Sequence, residues 1–389
     1  MVVRARHPVE KPQLENHRNV KARLIRLGGL GLLLLCSGCA WFAPKDKFGA
    51  TPTRFEQLEG WQEENHAEAA QVFVRSCETL ARKPRPETVG SELALSAPLW
   101  KSLCDEAKWA QSNPLQAKLF FEQRFVPYRV NNRGKEEGLF TGYYEPVLFG
   151  SRRKHGDFRY PLYRMPPEAQ TQRPYFSHAE INDGALTGRG LELAWVDDPV
   201  MLFFLQIQGS GRLRLDTGQE IQISYAGGNG HPYVSLGKVV GDEGLLPKDQ
   251  INFFTLRQYL YNNPAEAMAL MERNPSYVFF KELPQLGAIG SVGVVLTPQR
   301  SLAIDPKHIP YGLPLYLQTR IPNPDGGPDT AFRRLMIAQD TGGAIRSPVR
   351  GDIFFGPGDA AEFMAGNMKG RGGYALLVPR EIVSQLETP

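Results

Sequence analysis

Three aspartates stand at the ends of short apolar runs: Asp305 in Leu-Ala-Ile-Asp-Pro, Asp340 in Ile-Ala-Gln-Asp-Thr-Gly-Gly, and Asp352 in Gly-Asp-Ile-Phe-Phe-Gly. Burial beside apolar neighbours disfavours a charged carboxylate and moves its pKa toward the range a general acid needs. Asp305 before Pro, and Asp340 before Thr-Gly-Gly, are also explained as turn residues that accept backbone N–H groups. Asp352 is harder to explain in that way. It precedes Ile-Phe-Phe in a predicted strand, where an unpaired charge is costly. Spacing alone leaves it balanced between a structural carboxylate and a catalytic one.

Other chemistries are poorly represented. The seven histidines (7, 17, 66, 155, 178, 231, 308) form no HxxxH pair, and the four cysteines show no CxxC, so no metal site is expected. Gly-Ser-Gly-Arg lacks the third glycine and the helix of a dinucleotide loop, and no Gly-Lys-Ser/Thr follows a glycine-rich run. No cofactor is expected.

The elements that must position these carboxylates fall into two kinds. At 389 residues two domains are the default, and 39 Gly with 31 Pro favour β structure rich in turns. From Phe55 to about Phe125 the apolar residues recur at helical spacing, with Asn113-Pro114 marking a helix start. Beyond Val126 the pattern predicts strands at Leu139–Tyr144, Arg159–Tyr163, Val200–Gln208, Arg212–Leu215 and Ile221–Tyr225. Helices follow over Gln250–Tyr261 and Ala265–Arg273. Short strands then return at Ser291–Thr297, Leu302–Ile304, Leu315–Gln318, Arg333–Ala338, Ile353–Phe355 and Tyr374–Val378, with a short helix from Asp359. This is an α+β pattern with two β blocks, and periodicity does not place their boundary.

The N-terminus reads as an export signal. Residues 1–38 carry seven Lys/Arg against two Asp/Glu, then an apolar run from Leu27 to Leu35 and the small residues Ser37 and Gly38. The apolar run is too short to span a membrane. The rest of the chain has 38 basic against 39 acidic residues, so basicity belongs to the leader and no nucleic-acid partner is implied. Leu-Cys-Ser-Gly-Cys-Ala resembles a bacterial lipobox, which makes Cys39 the lipidation site and residues 39–54 a tether. Cys77 and Cys104 then remain, and the sequence leaves open whether they are bonded or are two buried thiols.

The C-terminal motifs, Ser-Val-Gly-Val-Val-Leu-Thr (291–297), Leu-Ala-Ile-Asp-Pro, Ile-Pro-Tyr-Gly-Leu-Pro-Leu-Tyr-Leu (309–317), Ile-Ala-Gln-Asp-Thr-Gly-Gly-Ala-Ile and Gly-Asp-Ile-Phe-Phe-Gly, resemble the three-aspartate "3D" module. Upstream, Phe-Thr-Gly-Tyr-Tyr-Glu-Pro (140–146), Gln-Ile-Gln-Gly-Ser-Gly (206–211), Tyr-Ala-Gly-Gly-Asn-Gly-His-Pro-Tyr (225–233) and Ser-Leu-Gly-Lys (235–238) are similar to the insert of the membrane-bound lytic murein transglycosylase A (MltA) family. The resemblance runs in order from about Phe140 to Val378.

It implies a mainly β, α+β fold. Residues 55–145 would supply N-terminal helices and a first barrel strand, 287–380 the rest of a double-psi β-barrel, and 146–286 an inserted second β-barrel. The glycan would lie in the groove between them. The implied reaction cleaves the β-1,4 bond between N-acetylmuramic acid and N-acetylglucosamine without water, leaving a 1,6-anhydromuramoyl end. Glycosidases ordinarily need two carboxylates. Here the sugar's C6 hydroxyl is the nucleophile, so one group can act as acid and then as base. The resemblance makes that group Asp352, with Asp340 orienting substrate or raising the pKa of Asp352, and Asp305 supporting. Asp352 also resembles the acid in the His-Phe-Asp strand of related barrel glycosidases, although Arg350-Gly351 replaces His-Phe here.

Thr141, Tyr143, Gln208, Ser210 and Asn229 have sugar-compatible groups, and Lys238 suits a lactyl or peptide carboxylate. The implied setting is the periplasmic face of the outer membrane, with peptidoglycan strands as substrate and cell-wall synthases as further partners. A hydrolytic muramidase on the same fold, and a non-catalytic peptidoglycan-binding lipoprotein, are the alternative readings.

Overall fold

The computed structural model describes residues 46–83 and 93–387, and the predicted leader with Cys39 lies outside them. The first helices are α1 (His66–Ala81), α2 (Ala97–Ala110) and α3 (Pro114–Arg124). Each starts where a side-chain oxygen accepts a first-turn N–H: Asn65 from Glu68 at 3.2 Å, Ser96 from Leu99 at 3.4 Å, and Asn113 from Leu115 at 3.0 Å. The helix start read at Asn113-Pro114 is therefore observed. Cys77 and Cys104 are joined by a disulfide that ties α1 to α2, with Cα atoms 5.5 Å apart. Phe73 of α1 packs against Phe120, Phe121 and Phe125, with ring centroids 5.7, 6.3 and 6.0 Å away.

The first sheet begins with β1 (Phe48–Pro52), β2 (Phe125–Asn132) and β3 (Gly138–Glu145). Residues 48–52 lie in the stretch expected to be a tether. They form instead an edge strand, antiparallel to β2, because that strand's outer edge offers unpaired backbone groups.

After Glu145 the chain builds a second sheet from β4 (Val147–Ser151), β5 (Tyr160–Tyr163), β6 (Glu192–Val196), β7 (Ser210–Leu215), β8 (Glu220–Gly228) and β9 (Val278–Leu283), in the order β5-β6-β4-β7-β8-β9. A bridge from Arg164 to Phe280 brings the end of β5 onto β9 and curls the sheet toward closure. This insert also carries the single turn α4 (His178–Glu180), α5 (Pro199–Gln208), α6 (Leu236–Asp242), α7 (Phe253–Asn262) and α8 (Pro264–Glu272).

The chain then returns through β10 (Ser301–Ile304), β11 (Pro314–Ile321), β12 (Thr330–Asp340), β13 (Arg350–Pro357), α9 (Asp359–Asn367) and β14 (Gly370–Pro379). The first sheet runs β1-β2-β14-β11-β12-β10-β13-β3, and β14 also pairs with β3, so its last six strands close a barrel. The mainly β, α+β architecture with a closed barrel and a second β unit is the one expected, and six strands close the barrel.

Two predicted strands are absent. Val200–Gln208 is helical: Asp198 accepts the N–H groups of Val200 and Met201 at 2.9 and 3.0 Å, Pro199 opens the first turn, and Gly209 ends the helix at φ 77°. A short, uniformly apolar run has no period by which to tell helix from strand. Ser291–Thr297 is a turn-rich segment held by one bridge, Ile289 to Val295.

Helix α1 braces the barrel where its carboxylates emerge. Gln339, at the end of β12, donates to Ser76 at 2.7 Å. The buried Arg300, just before β10, reaches Glu64 at 2.7 Å and Glu68 at 2.6 Å. Among the described residues no helix is long and apolar enough to cross a membrane.

Candidate active site

Strand register brings the acidic residues together. Ala303 of β10 pairs with Asp352 of β13 on one side and with Asp340 of β12 on the other, and Asp352 pairs with Thr141 of β3. Asp340, Ala303, Asp352 and Thr141 therefore form a row across four neighbouring strands. Two strand spacings put the Cα atoms of the two aspartates about 10 Å apart.

Alternation along β13 sends Arg350, Asp352 and Phe354 to one face. Thr141 and Tyr143 share the matching face of the parallel neighbour β3. The Thr141 hydroxyl donates to Oδ1 of Asp352, and Arg350 Nη1 donates to the same oxygen at 2.6 Å. Arg350 Nη2 donates to Thr141 Oγ1 at 2.8 Å, which completes a three-residue ring of contacts. A further bond from Arg350 Nη1 to the Gly351 carbonyl, 2.5 Å, fixes the guanidinium. Among the described residues nothing donates to Oδ2 of Asp352, and the side chain is 19% exposed. One oxygen is clamped and the other is available.

Gly142 separates the two active-face residues of β3 for a steric reason. A Cβ there would come within 2.5 Å of the Phe355 ring and 2.9 Å of the Ala365 backbone, so glycine lets α9 lie close against the strand.

Asp340 is committed differently. Its Oδ2 accepts from the Tyr143 hydroxyl at 3.0 Å, and its Oδ1 accepts from Ser291 N and Oγ at 3.0 and 2.8 Å. Burial pushes the Asp340 carboxyl above the usual range, opposed by the bonds from Ser291, Thr341 and Tyr143. Burial also pushes the Tyr143 phenol well up, so it stays a neutral donor.

Asp305 is buried and shapes a loop. It accepts from Lys307 N at 3.1 Å and from Ser347 N at 3.0 Å. Ser347 has φ 113°, a region an L-residue enters only when its surroundings hold it. Asp305 thus pins the loop that leads into Arg350.

The insert contributes less than expected. Gln208 accepts from Tyr144 N at 3.3 Å and so steadies β3. Ser210 is buried in the β7–β8 ladder opposite Ser224. Asn229, expected to meet sugar, is fully buried and saturated. Its amide donates to the Phe176 and Pro275 carbonyls at 2.9 and 2.8 Å, and its oxygen accepts from Tyr277 N and His231 N at 3.0 and 3.3 Å. An asparagine with two donors and two acceptor sites used has none left for a ligand. Lys238 is an exposed helical residue paired with Asp242 four positions on, which fits a solvated surface charge.

Sequence reasoning missed two charged residues. Arg350 entered only as a departure from His-Phe, although its i, i+2 spacing to Asp352 on a strand was the available signal. Glu145, in the Tyr-Tyr-Glu-Pro motif, is buried where the chain leaves the barrel. Gln222 donates to it at 2.6 Å, and Arg212 lies 3.7 Å away. Burial raises its pKa, opposed by Gln222 and Arg212. Gln222 in turn accepts from Gly287 N at 2.8 Å, so one buried pair ties together both crossings between barrel and insert. Tyr144, Glu362 and Arg257 add a second link: Tyr144 donates to Glu362 at 2.9 Å, and Arg257 of α7 reaches it at 2.7 Å.

Residues 139–281 match the MltA specific insert domain and residues 300–378 match the 3D domain. Membrane-bound lytic murein transglycosylase A of Vibrio cholerae is 35% identical over 241 residues, 61% of this chain and 64% of that protein. The chain thus spans just under two thirds of that relative's length. A crystal structure of the membrane-bound lytic murein transglycosylase from Agrobacterium tumefaciens superposes with a TM-score of 0.78 at 31% identity, over 87% of this chain and 99% of that one. Escherichia coli MltA with bound chitohexaose gives a TM-score of 0.64 at 27% identity, over 85% of this chain and 91% of that one. Matched insert and 3D domains in one chain, with a solved relative at 31% identity matched over 99% of its chain, make this protein a member of the MltA family.

Proposed function

We propose that the protein is a peptidoglycan lytic transglycosylase whose single acid/base is Asp352. The observation that carries this reading is the division of labour within one carboxylate: Thr141 and Arg350 hold Oδ1, and Oδ2 is left for the substrate. Protonated Asp352 gives its proton to the glycosidic oxygen as the C1–O4 bond breaks. The resulting carboxylate then takes the proton of the C6 hydroxyl as O6 bonds to C1. The net result moves one proton from O6 to O4, consumes no water, and returns Asp352 to its starting form.

Asp340 supports this assignment by being unavailable. Both of its oxygens are already engaged by Tyr143 and Ser291, so it is a poor candidate for the second carboxylate that hydrolysis needs. Its place in the row suits it to holding Tyr143, whose ring packs on Phe354 at 5.2 Å beside the catalytic strand. The E. coli relative solved with chitohexaose supports a β-1,4-linked amino-sugar chain as the ligand class. The leader, Cys39 and the membrane-bound naming of the V. cholerae relative support a lipid anchor on the periplasmic face of the outer membrane.

The test is the mass of products released from purified sacculi. Muropeptides lighter by one water than their hydrolysed counterparts are expected. Products with reducing ends would replace this reading with a hydrolytic muramidase, and binding without digestion would leave a peptidoglycan-binding lipoprotein.

A further inference from the structure

Beside the Thr141–Arg350–Asp352 ring lies a cleft of about 250 Å³. Its walls include Asn132, Lys135, Glu137, Arg346, Ser347 and Arg350. Arg350 belongs to both places, since it lines the cleft and contacts Asp352 at 2.6 Å. The lining is cationic, with three basic groups against one carboxylate. Among the described residues no acidic side chain pairs with Lys135 or Arg346, so their charge is uncompensated.

The cleft is also built rather than incidental. Arg346 Nη1 is held by the Gly342 and Ile345 carbonyls at 3.1 and 2.8 Å, which fixes the direction of the guanidinium. Asn132 donates to Ser347 Oγ at 3.2 Å and joins the β2 edge to the loop. Ser347 has an unfavourable backbone at φ 113°, its N–H is held by buried Asp305 at 3.0 Å, and such maintained strain points to a loop shaped for use.

We propose that this cleft binds the carboxylate-bearing peptide stem of the muramoyl residue whose glycosidic bond is cleaved. The proposal rests on the transglycosylase reading. In peptidoglycan the stem hangs from the lactyl group of the sugar that must sit against Asp352. An extended peptide advances about 3.5 Å per residue, so its first residues reach a cleft one guanidinium away from that carboxylate. Stem carboxylates match Lys135 and Arg346, and Glu137 matches the ammonium of a stem diamino acid. The nucleic-acid and lipid alternatives for a basic cleft fit less well, because its small volume and single carboxylate favour a short zwitterionic chain.

The experiment compares soluble glycan strands that keep their stems, freed from sacculi by an endopeptidase that cuts the cross-links, with strands stripped of stems by an amidase. With wild-type protein and the double variant Lys135→Ala/Arg346→Ala, turnover is measured on both. The double variant should raise KM about tenfold on stem-bearing strands, with kcat unchanged and no change on stripped strands. Arg346→Lys, which keeps the charge, should recover most of the difference. Equal effects on both substrates, or none on either, would overturn the proposal. Calorimetric titration of the Asp352→Asn full-length protein with the two kinds of strand separates this from the catalytic reading. Tighter binding to stem-bearing strands, lost in Lys135→Ala/Arg346→Ala, supports the stem cleft even if no strand is cleaved. Indifference to the stems sinks it even if cleavage is confirmed.

Discussion

Replacing Asp352 with Asn removes the proposed acid/base while keeping almost everything around it. The amide oxygen can still accept from Thr141 and from Arg350 Nη1, and Arg350 keeps its bonds to Thr141 and the Gly351 carbonyl. The loss is the charge of one half-buried ion pair whose cation faces an open cleft, so the stability cost is about 1 kcal/mol, or about 2 °C in Tm. The kinetic cost is far larger. A positioned general acid or base contributes about 10²–10⁴-fold, and the same group serves both steps. Because the slower step governs turnover, the two factors do not multiply. The expected fall in kcat is about 10³–10⁴-fold, equivalent to about 4–5.5 kcal/mol of barrier. Release of anhydro-muropeptides from sacculi, read by mass spectrometry, measures the rate, and thermal melting measures the fold. A variant that retains more than a tenth of wild-type kcat refutes the assignment of Asp352. So does a variant that loses activity only in proportion to lost folded protein.

Thr141→Val removes the hydroxyl that clamps Asp352, and should lower kcat about 10–100-fold with KM within about twofold, checked by the same digestion assay. His66 is buried against Trp61, with ring centroids 4.5 Å apart, and burial lowers its pKa from 6.5 to about 4. Between those values the unfolded chain binds a proton that the folded chain refuses. The stabilising effect is therefore complete above pH 6.5 and lost as pH falls to 4, by about 3 kcal/mol. Urea melts at pH 7 and pH 4.5 should show a smaller pH difference for His66→Phe than for wild type, and an unchanged difference would contradict this. Cys77→Ser/Cys104→Ser opens a disulfide with a sequence separation of 27 and should cost about 3.5 kcal/mol, seen as an earlier urea midpoint that the reduced wild type shares.

Local sequence settled the features that depend on neighbours along the chain. Asn113-Pro114 starts a helix because a cap and its first turn are adjacent. Asp352, in a short apolar strand, was already a carboxylate in need of a partner. The ordered motifs carried the family and the general fold. Apolar runs without a period were beyond local reading, which is why Val200–Gln208 looked like a strand until Asp198 and Gly209 defined its two ends as helical.

The site itself was decided by tertiary pairing. Thr141 reaches Asp352 across 211 positions only because β3 and β13 lie side by side on the far sides of an inserted domain. The same register makes Arg350 a partner of Asp352 and leaves Asp340 to Tyr143 and Ser291. Asn229 shows the opposite outcome, since a residue type suited to sugar is spent on four backbone groups of its own fold. Residue types limit which hydrogen bonds are available, and the packing of distant strands determines which of them are made.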